Sequence, residues 1–534
     1  MKQIDQYPND QLATETFFTN ANDALLALNG CYGYLDGNQD NIYFEAMSDN
    51  AFAQYPWESA ATEVSAGNIT VNTDLGYGRR YEGIRRFNYF ISQIENVQMS
   101  EELKKRYKAE VRFLRAYSYA NLTTIFGPVP LIVDALENPQ DAKIEPTAEL
   151  QVVEFVLSEL GDIVNDLPTS YSGGGGNEYG RITRSAALAL RSRIALFYKN
   201  YNIASSSAKQ VMDLNIHTLF EKDPSSGDLQ EDYSDFVTFA NDAEKQRFYR
   251  GLVSYTQQFW SINERNSEVI LTRQYAVNIN KTLATTKLFP AALNGWSSVT
   301  PTQSLVDAYG DRNGDPVTNL PTPAQRNTNY NNGAFGAAYL TEFKNRDTRL
   351  YASILFPGNS LFVDGKVQEF SWGKGGNNNS KTGYNFRKIA DPNYIQEQNG
   401  DSDFQLLRYA EVLLTFAEAE NELNGPSVAV YEAVNLVRSR AGMPDVDQAR
   451  YGSKNTLRTL IQNERRIELA GEGQRFWDIR RLAIAAEVMK DIRDITNETT
   501  QARKWEPRYY YMPYPLTAMD RNPNLQTAQK EKGY

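Results

Sequence analysis

Apolar residues recur at helical spacing in two long blocks of this 534-residue chain, and the pattern fades between them. In the first block, Val111 and Leu114 share one face of the segment 101–125, which stops at Gly127 and Pro128, a pair that ends helices. The same reasoning predicts helices at residues 150–167, 185–198, 406–423, 428–441, 456–470 and 475–488. Because each apolar face needs a partner, both ends of the chain are predicted to form packed helix pairs.

Residues 223–400 lack this periodicity and are rich in Gly, Asn, Pro and Thr. That composition is typical of loops with short strands and helices, where binding sites usually lie. We therefore predict a mostly α-helical fold, one domain over residues 1–534, with a helical part at 1–222, the loop-rich region at 223–400 and a second helical part at 401–534. Short turns between the later helices indicate pairs of tetratricopeptide type, although the strict consensus of that repeat is absent.

The composition limits the class of ligand. The formal charge of -11 argues against a nucleic-acid partner, because phosphate binding needs a basic face. The chain carries 33 Tyr, 25 Phe and 6 Trp, amphipathic rings that either fill helix interfaces or bind a hydroxylated, non-ionic ligand. No apolar run is long enough to span a bilayer.

Enzyme motifs fail on inspection. The chain has one histidine, His217, and one cysteine, Cys31, so a multi-histidine metal site is excluded and a Ser-His-acid triad would have to use His217. We predict that Cys31 is a buried helix residue and that His217 is structural or lies at the surface. The run 375–382 resembles a phosphate-binding loop, but Ser380 occupies the position of its second glycine, and we reject that interpretation.

A calcium loop is suggested by Asp311, Asn313 and Asp315, which place oxygen atoms at alternate positions. The glycine and the glutamate that such loops need at their sixth and twelfth positions are missing, and Thr322 stands at the latter. A turn is therefore favoured over an ion site. We predict no catalytic residue, no cofactor and no metal. A glycoside hydrolase that uses two convergent carboxylates stays an alternative, because any two of the 66 acidic residues can converge in a fold and no motif tests this.

Several sequence blocks resemble the SusD/RagB family of outer-membrane nutrient-binding lipoproteins. They span nearly the whole chain in order: RFLRA at 112–116, FGPVPL at 126–131, GRIT at 180–183, GWSSVTPT at 295–302, LRYAEVLLTFAEAENE at 407–422, VNLVRSRAG at 434–442 and IQNERRIELAGEGQRFWDIRR at 461–481. The tail is also similar to the family's ending, with MPYP at 512–515 and NPNL at 522–525.

This resemblance implies a non-enzymatic, surface-exposed lipoprotein of the cell outer membrane. It also implies two partners, a glycan and a SusC-like TonB-dependent transporter that receives it; a peptide-capturing, RagB-like member of the family is the alternative. The family's anchor is a lipidated cysteine at the mature N-terminus, whereas this sequence begins with Met1. We expect the natural cysteine to have been removed together with the export signal.

Glycan capture needs aromatic faces for the C–H surfaces of sugars and planar polar groups for their hydroxyls. The family site and this logic together point to loops after the first helix and within the middle segment, where rings stand among short polar residues. The predicted ligand-binding residues are Asp49, Tyr55, Trp57, Asn68 and Trp296. Packing in the core is the alternative for both tryptophans.

The most recognisable family block carries three glutamates spaced four residues apart, Glu464, Glu468 and Glu472. They share one helical face, with Arg465, Arg466 and Arg475 nearby in sequence. An acid site is conceivable here. We favour a charge network that holds helices around a partly buried Trp477.

Overall fold

The structure is a computed structural model that describes residues 18–171, 178–331, 336–395 and 400–534. Within these ranges, the α-helices in chain order are α1 (Ala21–Tyr32), α2 (Asn38–Ala46), α3 (Ala61–Ala66), α4 (Tyr77–Ile94), α5 (Glu101–Phe126), α6 (Glu149–Asp162), α7 (Arg184–Phe197), α8 (Tyr201–Asp213), α9 (Asp242–Gln257), α10 (Ala284–Leu288), α11 (Gln303–Ala308), α12 (Pro323–Asn331), α13 (Ala337–Leu340), α14 (Thr348–Ser353), α15 (Tyr409–Asn424), α16 (Val428–Arg440), α17 (Lys454–Glu468), α18 (Gln474–Arg481), α19 (Ala485–Val488), α20 (Leu516–Arg521) and α21 (Leu525–Glu531). Met1, on which the anchor expectation rests, lies outside the described residues.

The strands in the same ranges are short and pair in twos. They are β1 (Ala51–Ala53), β2 (Val269–Arg273), β3 (Val299–Pro301), β4 (Ile354–Leu355), β5 (Ser360–Val363), β6 (Lys366–Glu369), β7 (Asn385–Phe386), β8 (Phe404–Arg408), β9 (Ile492–Arg493) and β10 (Thr499–Gln501). The antiparallel pairs are β1–β3, β2–β8, β4–β7, β5–β6 and β9–β10. The predicted fold class, mostly α with short strands in a loop-rich region, is confirmed. Across the described part of the chain, no helix is both long and apolar enough to cross a membrane.

One compact unit comprises the described residues up to Leu35, then Thr70–Ile194 and Tyr510–Tyr534. In it, α5 packs against both α4 and α6, and α1 contacts α4 and α5. Cys31 is buried in α1, as predicted. Glu110 on α5 is fully buried and accepts hydrogen bonds from the Tyr32 hydroxyl (2.6 Å) and from Nη1 of Arg181 (3.1 Å). An internal ion pair thus joins α1 and the loop before α7 to the central helix.

The second unit comprises Asp36–Ile69 and Ala195–Tyr509. Helix α15 is its hub, since it packs against α8, α16 and α17. The turn from α15 to α16 passes through Gly425, whose φ of 80° suits a glycine. This is the helix-pair arrangement expected from the sequence. The expectation of a single domain over the whole chain stays a prediction.

The three glutamates of the family block take part in a structural charge network, as favoured. The prediction that all three share one helical face is wrong, because α17 ends at Glu468 and Glu472 lies in the turn that follows. Glu464 pairs with Arg438 (2.7 Å) and Arg349 (2.8 Å), and Glu468 pairs with Arg408 (2.8 Å). The arginines adjacent in sequence point elsewhere, because neighbouring helix residues do not share a face. Further pairs that complete the network are Glu468–Arg440, Glu472–Lys388 and Glu472–Arg408.

Three predicted helices differ clearly from the observed ones. The helix predicted at 150–167 is shorter, because α6 ends at Asp162. Residues 406–408 belong to strand β8, all five of whose residues are buried against β2 and its neighbours. A strand buried on both faces has no alternating pattern, so its apolar run was assigned to the following helix. The predicted helix 475–488 is broken into α18 and α19 at Ala483, which has a φ of 58°.

Candidate functional site

Two distant segments that carry predicted ligand residues are brought together by strands β1 and β3. The register pairs Ala51 with Pro301 and Ala53 with Val299. Beyond the strand, the Gln54 amide N–H donates to the Ser298 carbonyl (3.0 Å), and the Gln54 side chain donates to the Trp296 carbonyl (2.7 Å). The backbone of Trp296 therefore lies beside the start of the segment Gln54–Trp57. We call Tyr55, Trp57 and Trp296 the ring platform.

Trp57 is the exposed member of the ring platform. Its side chain is 77% exposed, in a chain whose large apolar residues are mostly buried. The indole lies 4.9 Å from the Tyr55 ring at an interplanar angle of 32°. Large apolar rings are usually buried in a folded chain, so an exposed indole beside a second ring marks a candidate binding surface. The core-packing alternative does not describe Trp57.

Trp296 is half-buried and held by a tight turn. Its amide N–H donates to the Thr286 carbonyl over 2.6 Å. The preceding Gly295 approaches the backbone so closely that an added Cβ would lie 2.0 Å from the Phe289 carbonyl oxygen. The indole is thus presented from a backbone that has little room to adjust.

Asn378, which the sequence reasoning missed, links the two sides of the ring platform. Its side-chain oxygen accepts a hydrogen bond from the Tyr55 hydroxyl (2.7 Å), and its backbone carbonyl accepts one from the Ser297 hydroxyl (2.8 Å). Asn378 adopts a φ of 61°, a left-handed conformation that asparagine tolerates better than most residues. Burial raises the pKa of Tyr55, so its hydroxyl stays a donor at neutral pH. The only sequence signal was a run of asparagines in a glycine-rich loop.

A nearly buried ion pair supports the turn after Trp57. Lys287, 5% exposed, lies 3.4 Å from the Glu58 carboxylate and donates to the Tyr43 hydroxyl over 3.0 Å. The Tyr43 hydroxyl in turn donates to Glu58. Burial lowers the pKa of Lys287, and the Glu58 charge opposes that shift. These contacts fix the residue next to Trp57.

Asp49 and Asn68, the other two predicted ligand-binding residues, differ from each other in their surroundings. Asp49 is 2% exposed; its oxygens accept from Nε of Arg475 (2.7 Å) and from Nη2 of Arg466 (2.8 Å). Burial raises the pKa of Asp49, but the two guanidinium groups outweigh it and bring the pKa down to about 2. Asn68 is exposed just after α3, and its amide N–H donates to the Glu63 carbonyl. Ligand binding by both residues stays a prediction.

A cleft of about 390 Å³ opens at the other end of the β1–β3 pair. Asp49, just before β1, and Thr302, just after β3, lie in its wall. The ring platform lies at the opposite end of the strand pair, because Tyr55 and Trp57 follow β1 and Trp296 precedes β3. We call it the arginine cleft, because its lining includes Arg326, Arg466 and Arg503. Nothing in the sequence reasoning predicted it.

The motifs that were set aside have structural roles. The Asp311 carboxylate accepts the amide N–H groups of Asn313 (2.8 Å) and Asp315 (3.0 Å), which makes this segment a turn, as favoured. His217 contacts the Ser267 carbonyl through Nδ1 (3.1 Å) and stacks on Tyr409. In the described ranges, no group of three or more His, Cys, Asp or Glu side chains could hold a metal ion.

Two family models match the chain. One, described as "SusD family", covers residues 256–534. The other, described as "Starch-binding associating with outer membrane", covers residues 7–196. Each model includes one of the two segments that form the ring platform. The segment of Trp57 falls in the second model, and that of Trp296 falls in the first.

Relatives align over most of their length. "SusD-like protein P38" of Formosa agariphila is 25% identical, over 92% of this chain and 90% of its own. "Starch-binding protein SusD" of Bacteroides thetaiotaomicron is 24% identical, over 89% of this chain and 80% of its own. Among solved structures, a SusD-like carbohydrate-binding protein from Bacteroides fragilis superposes with a TM-score of 0.78 at 26% identity, covering 96% of this chain and 100% of that one.

Proposed function

This chain belongs to the SusD family, and from that premise we propose that it captures an oligo- or polysaccharide on the ring platform at the outer surface of a bacterial cell. The observation that carries the proposal is Trp57, which is 77% exposed and whose indole lies 4.9 Å from the Tyr55 ring. The C–H face of a sugar ring covers such a surface without desolvating charge. Because Asn378 and Lys287 already hold the surrounding segments, binding needs little ordering of the protein.

Polar side chains supply hydrogen bonds to sugar hydroxyls. Beside Trp57, the Tyr55 hydroxyl keeps the lone pairs that its hydrogen bond to Asn378 leaves free. Asn68 offers an exposed amide, and Asp49, at the other end of the β1–β3 pair, shares its oxygens with Arg475 and Arg466. Each such bond replaces one to water, so its net gain is about 1 kcal/mol. Ring stacking therefore supplies much of the affinity, and dissociation constants roughly in the micromolar to millimolar range follow.

Delivery to a SusC-like TonB-dependent transporter is the second part of the proposal. The family description of residues 7–196, which mentions association with the outer membrane, supports that location. Attachment through an N-terminal lipid fits a protein whose described helices do not cross a membrane. Co-purification of the chain with a TonB-dependent barrel from native membranes tests this part. Recovery without any such partner would contradict it.

Capture without hydrolysis is favoured by the state of the acidic pair Glu264 and Asp403. Burial, and then the Glu264 charge, raise the pKa of Asp403 to about 7, as in glycosidase acids. However, the Asp403 oxygens already accept from the Tyr275 amide N–H (2.9 Å) and the Thr272 hydroxyl (3.3 Å). Both hydrogen bonds tie this carboxylate to its own fold.

Affinity electrophoresis against starch, laminarin, xylan and mannan, with casein peptides in parallel, tests the proposal. We expect retardation by at least one glycan, none by the peptides, and no new reducing ends after prolonged incubation. Retention by peptides alone would favour the peptide-capturing alternative. Release of reducing ends that stops in Asp403→Asn would indicate a hydrolase.

A further inference from the structure

Arginine side chains cluster around Asp49, which lies in the wall of the arginine cleft. Arg466 and Arg475 share the single carboxylate of Asp49. Arg503 donates to the carbonyl oxygens of Ser48 (2.9 Å) and Ala51 (3.2 Å), on either side of Asp49. Within the described residues, Arg503 forms no salt bridge of its own. Asp49 thus lies among three guanidinium groups, while the Glu45 charge also acts on Arg466 and Arg475, and the Asp491 charge acts on Arg503.

Burial disfavours the charged form of two arginines of the cleft. Burial lowers the pKa of Arg503 to about 10, and burial also lowers that of Arg466 to about 10 despite its contact with Asp49. Buried charges are stable only when they are paired and fully hydrogen-bonded. Nη1 of Arg466 bonds none of the described acceptors, whereas its Nε and Nη2 atoms bond Asn50, Asp49 and Ser304. Arg466 therefore carries N–H groups at Nη1 that a ligand could use.

Most of the other acids of the lining have partners within the protein. Asp494 accepts three donors from its own loop, Thr496 N–H, Thr496 O–H and Glu498 N–H, and lies 3.5 Å from Lys374. Asp491 accepts the Arg503 amide N–H (2.8 Å), and Glu487 is exposed at the rim. At that rim Lys490 and Arg493 are exposed as well. Arg326 is neutralised by Glu342 (2.8 Å).

We propose that the arginine cleft is a subsite for an oxyanion carried by the ligand, either the carboxylate of a uronic acid or a sulfate ester on a sugar. Guanidinium groups bind both oxyanions with strong, directional hydrogen bonds. The aromatic composition alone had suggested a non-ionic ligand; the cleft adds a charged substituent to that ligand.

The position of the cleft relative to the ring platform fits one chain of sugars. The two sites lie at opposite ends of the three-residue strand pair β1–β3. Three residues of strand span about 10 Å, roughly the length of two sugar units. A neutral sugar on the ring platform and an acidic one in the cleft can thus belong to the same oligosaccharide. In this form the inference rests on the proposed glycan-binding function.

Inorganic sulfate is the first probe, because it needs no knowledge of the glycan. Melting temperatures are measured with sodium sulfate and with sodium chloride at equal ionic strength, for wild type, Arg503→Gln and the double rim variant Lys490→Gln/Arg493→Gln. Lys209→Gln, an exposed lysine on α8, is the matched control. We expect sulfate to raise the melting temperature of wild type and Lys209→Gln above the chloride value, and this excess to vanish in Arg503→Gln and shrink in the rim variant. The rim variant keeps the test valid if Arg503→Gln does not fold.

Matched glycans distinguish the two sources of the oxyanion. Oligogalacturonate is compared with its methyl ester, and a sulfated galactan with its desulfated form, by titration at low salt. We expect one charged form to bind about ten-fold more tightly than its neutral form, as one charge-assisted contact provides, and the rim variant to reduce that ratio. A sulfate effect that is absent, or equal in all variants, overturns the subsite. If sulfate acts through Arg503 while no glycan of either kind binds, the proposed function fails and the anion site stands.

Discussion

The hydroxyl of Tyr55 donates a hydrogen bond of 2.7 Å to the side-chain oxygen of Asn378, 323 residues away in sequence. Asn378 also accepts from Ser297, the residue after Trp296. One asparagine therefore sets the positions of both sides of the ring platform. Its loss should affect glycan binding more than protein stability, because the Tyr55 ring is partly exposed.

Asn378→Ala is the first prediction. We expect the affinity for a captured glycan to fall about five-fold, the equivalent of one hydrogen bond of about 1 kcal/mol that positions Tyr55. Tyr55→Phe removes the same bond from the other side, together with the bond from the Tyr55 hydroxyl to the sugar, so its loss should be at least as large. The double variant, measured by titration calorimetry, should be no worse than Tyr55→Phe alone. Additive losses would show that the two residues act independently.

Glu468→Ala tests the charge network of α17. This side chain has no exposure and pairs with Arg408, Arg440 and Arg349, so its removal leaves buried cations without a partner. The free energy of unfolding should fall by roughly 3–5 kcal/mol. Glu221→Ala, which breaks a surface pair with Arg250, should cost less than about 1 kcal/mol. Urea denaturation measures both, and glycan affinity at a temperature where the variant is folded should stay unchanged. A small effect of Glu468→Ala would contradict the buried network.

The stability of the protein should depend on pH through Asp403. Burial, then the nearby Glu264 charge, raise its pKa from 3.8 to about 7. Between these two pKa values, the folded state holds a proton that the unfolded chain has released. The proton stabilises the folded state fully below the pKa of the unfolded chain, and this stabilisation is lost as pH rises through the pKa of the folded state. The slope is at most about 1.4 kcal/mol per pH unit for one proton. Asp403→Asn should lack this pH dependence. The difference in free energy of unfolding between variant and wild type, measured by denaturation, should therefore grow as pH rises from 3.8 to about 7 and level off above that. A constant difference would contradict the raised pKa.

The helices were predictable because their signal is local. The apolar face of Val111 and Leu114 and the stop at Gly127 are all present within one stretch of sequence, and α5 ends at Phe126. Buried strands gave no such signal. Strand β8 is buried on both faces, so it has no alternating pattern, and only its pairing with β2, far away in sequence, identifies it.

The residue types of the candidate site were predictable from the sequence, but the partners that each residue contacts in the fold were not. Trp57 stood out because it follows Tyr55 and Pro56 outside any apolar stripe, and it is exposed. That Gln54 reaches the Trp296 backbone follows from a strand register no local pattern encodes. Asn378 and Arg503 act through the partners that the fold brings to them, so neither carried a recognisable motif.

The most direct test of the whole account is the affinity of Trp57→Ala for a glycan that wild type binds. Ile262→Ala is the matched control, because Ile262 is 78% exposed and Trp57 77%. Affinity electrophoresis should show binding abolished in Trp57→Ala and unchanged in Ile262→Ala, while both melting temperatures stay close to that of wild type. If Trp57→Ala instead binds the glycan as tightly as wild type does, the ring platform is not the binding site, and the glycan is captured elsewhere on the protein.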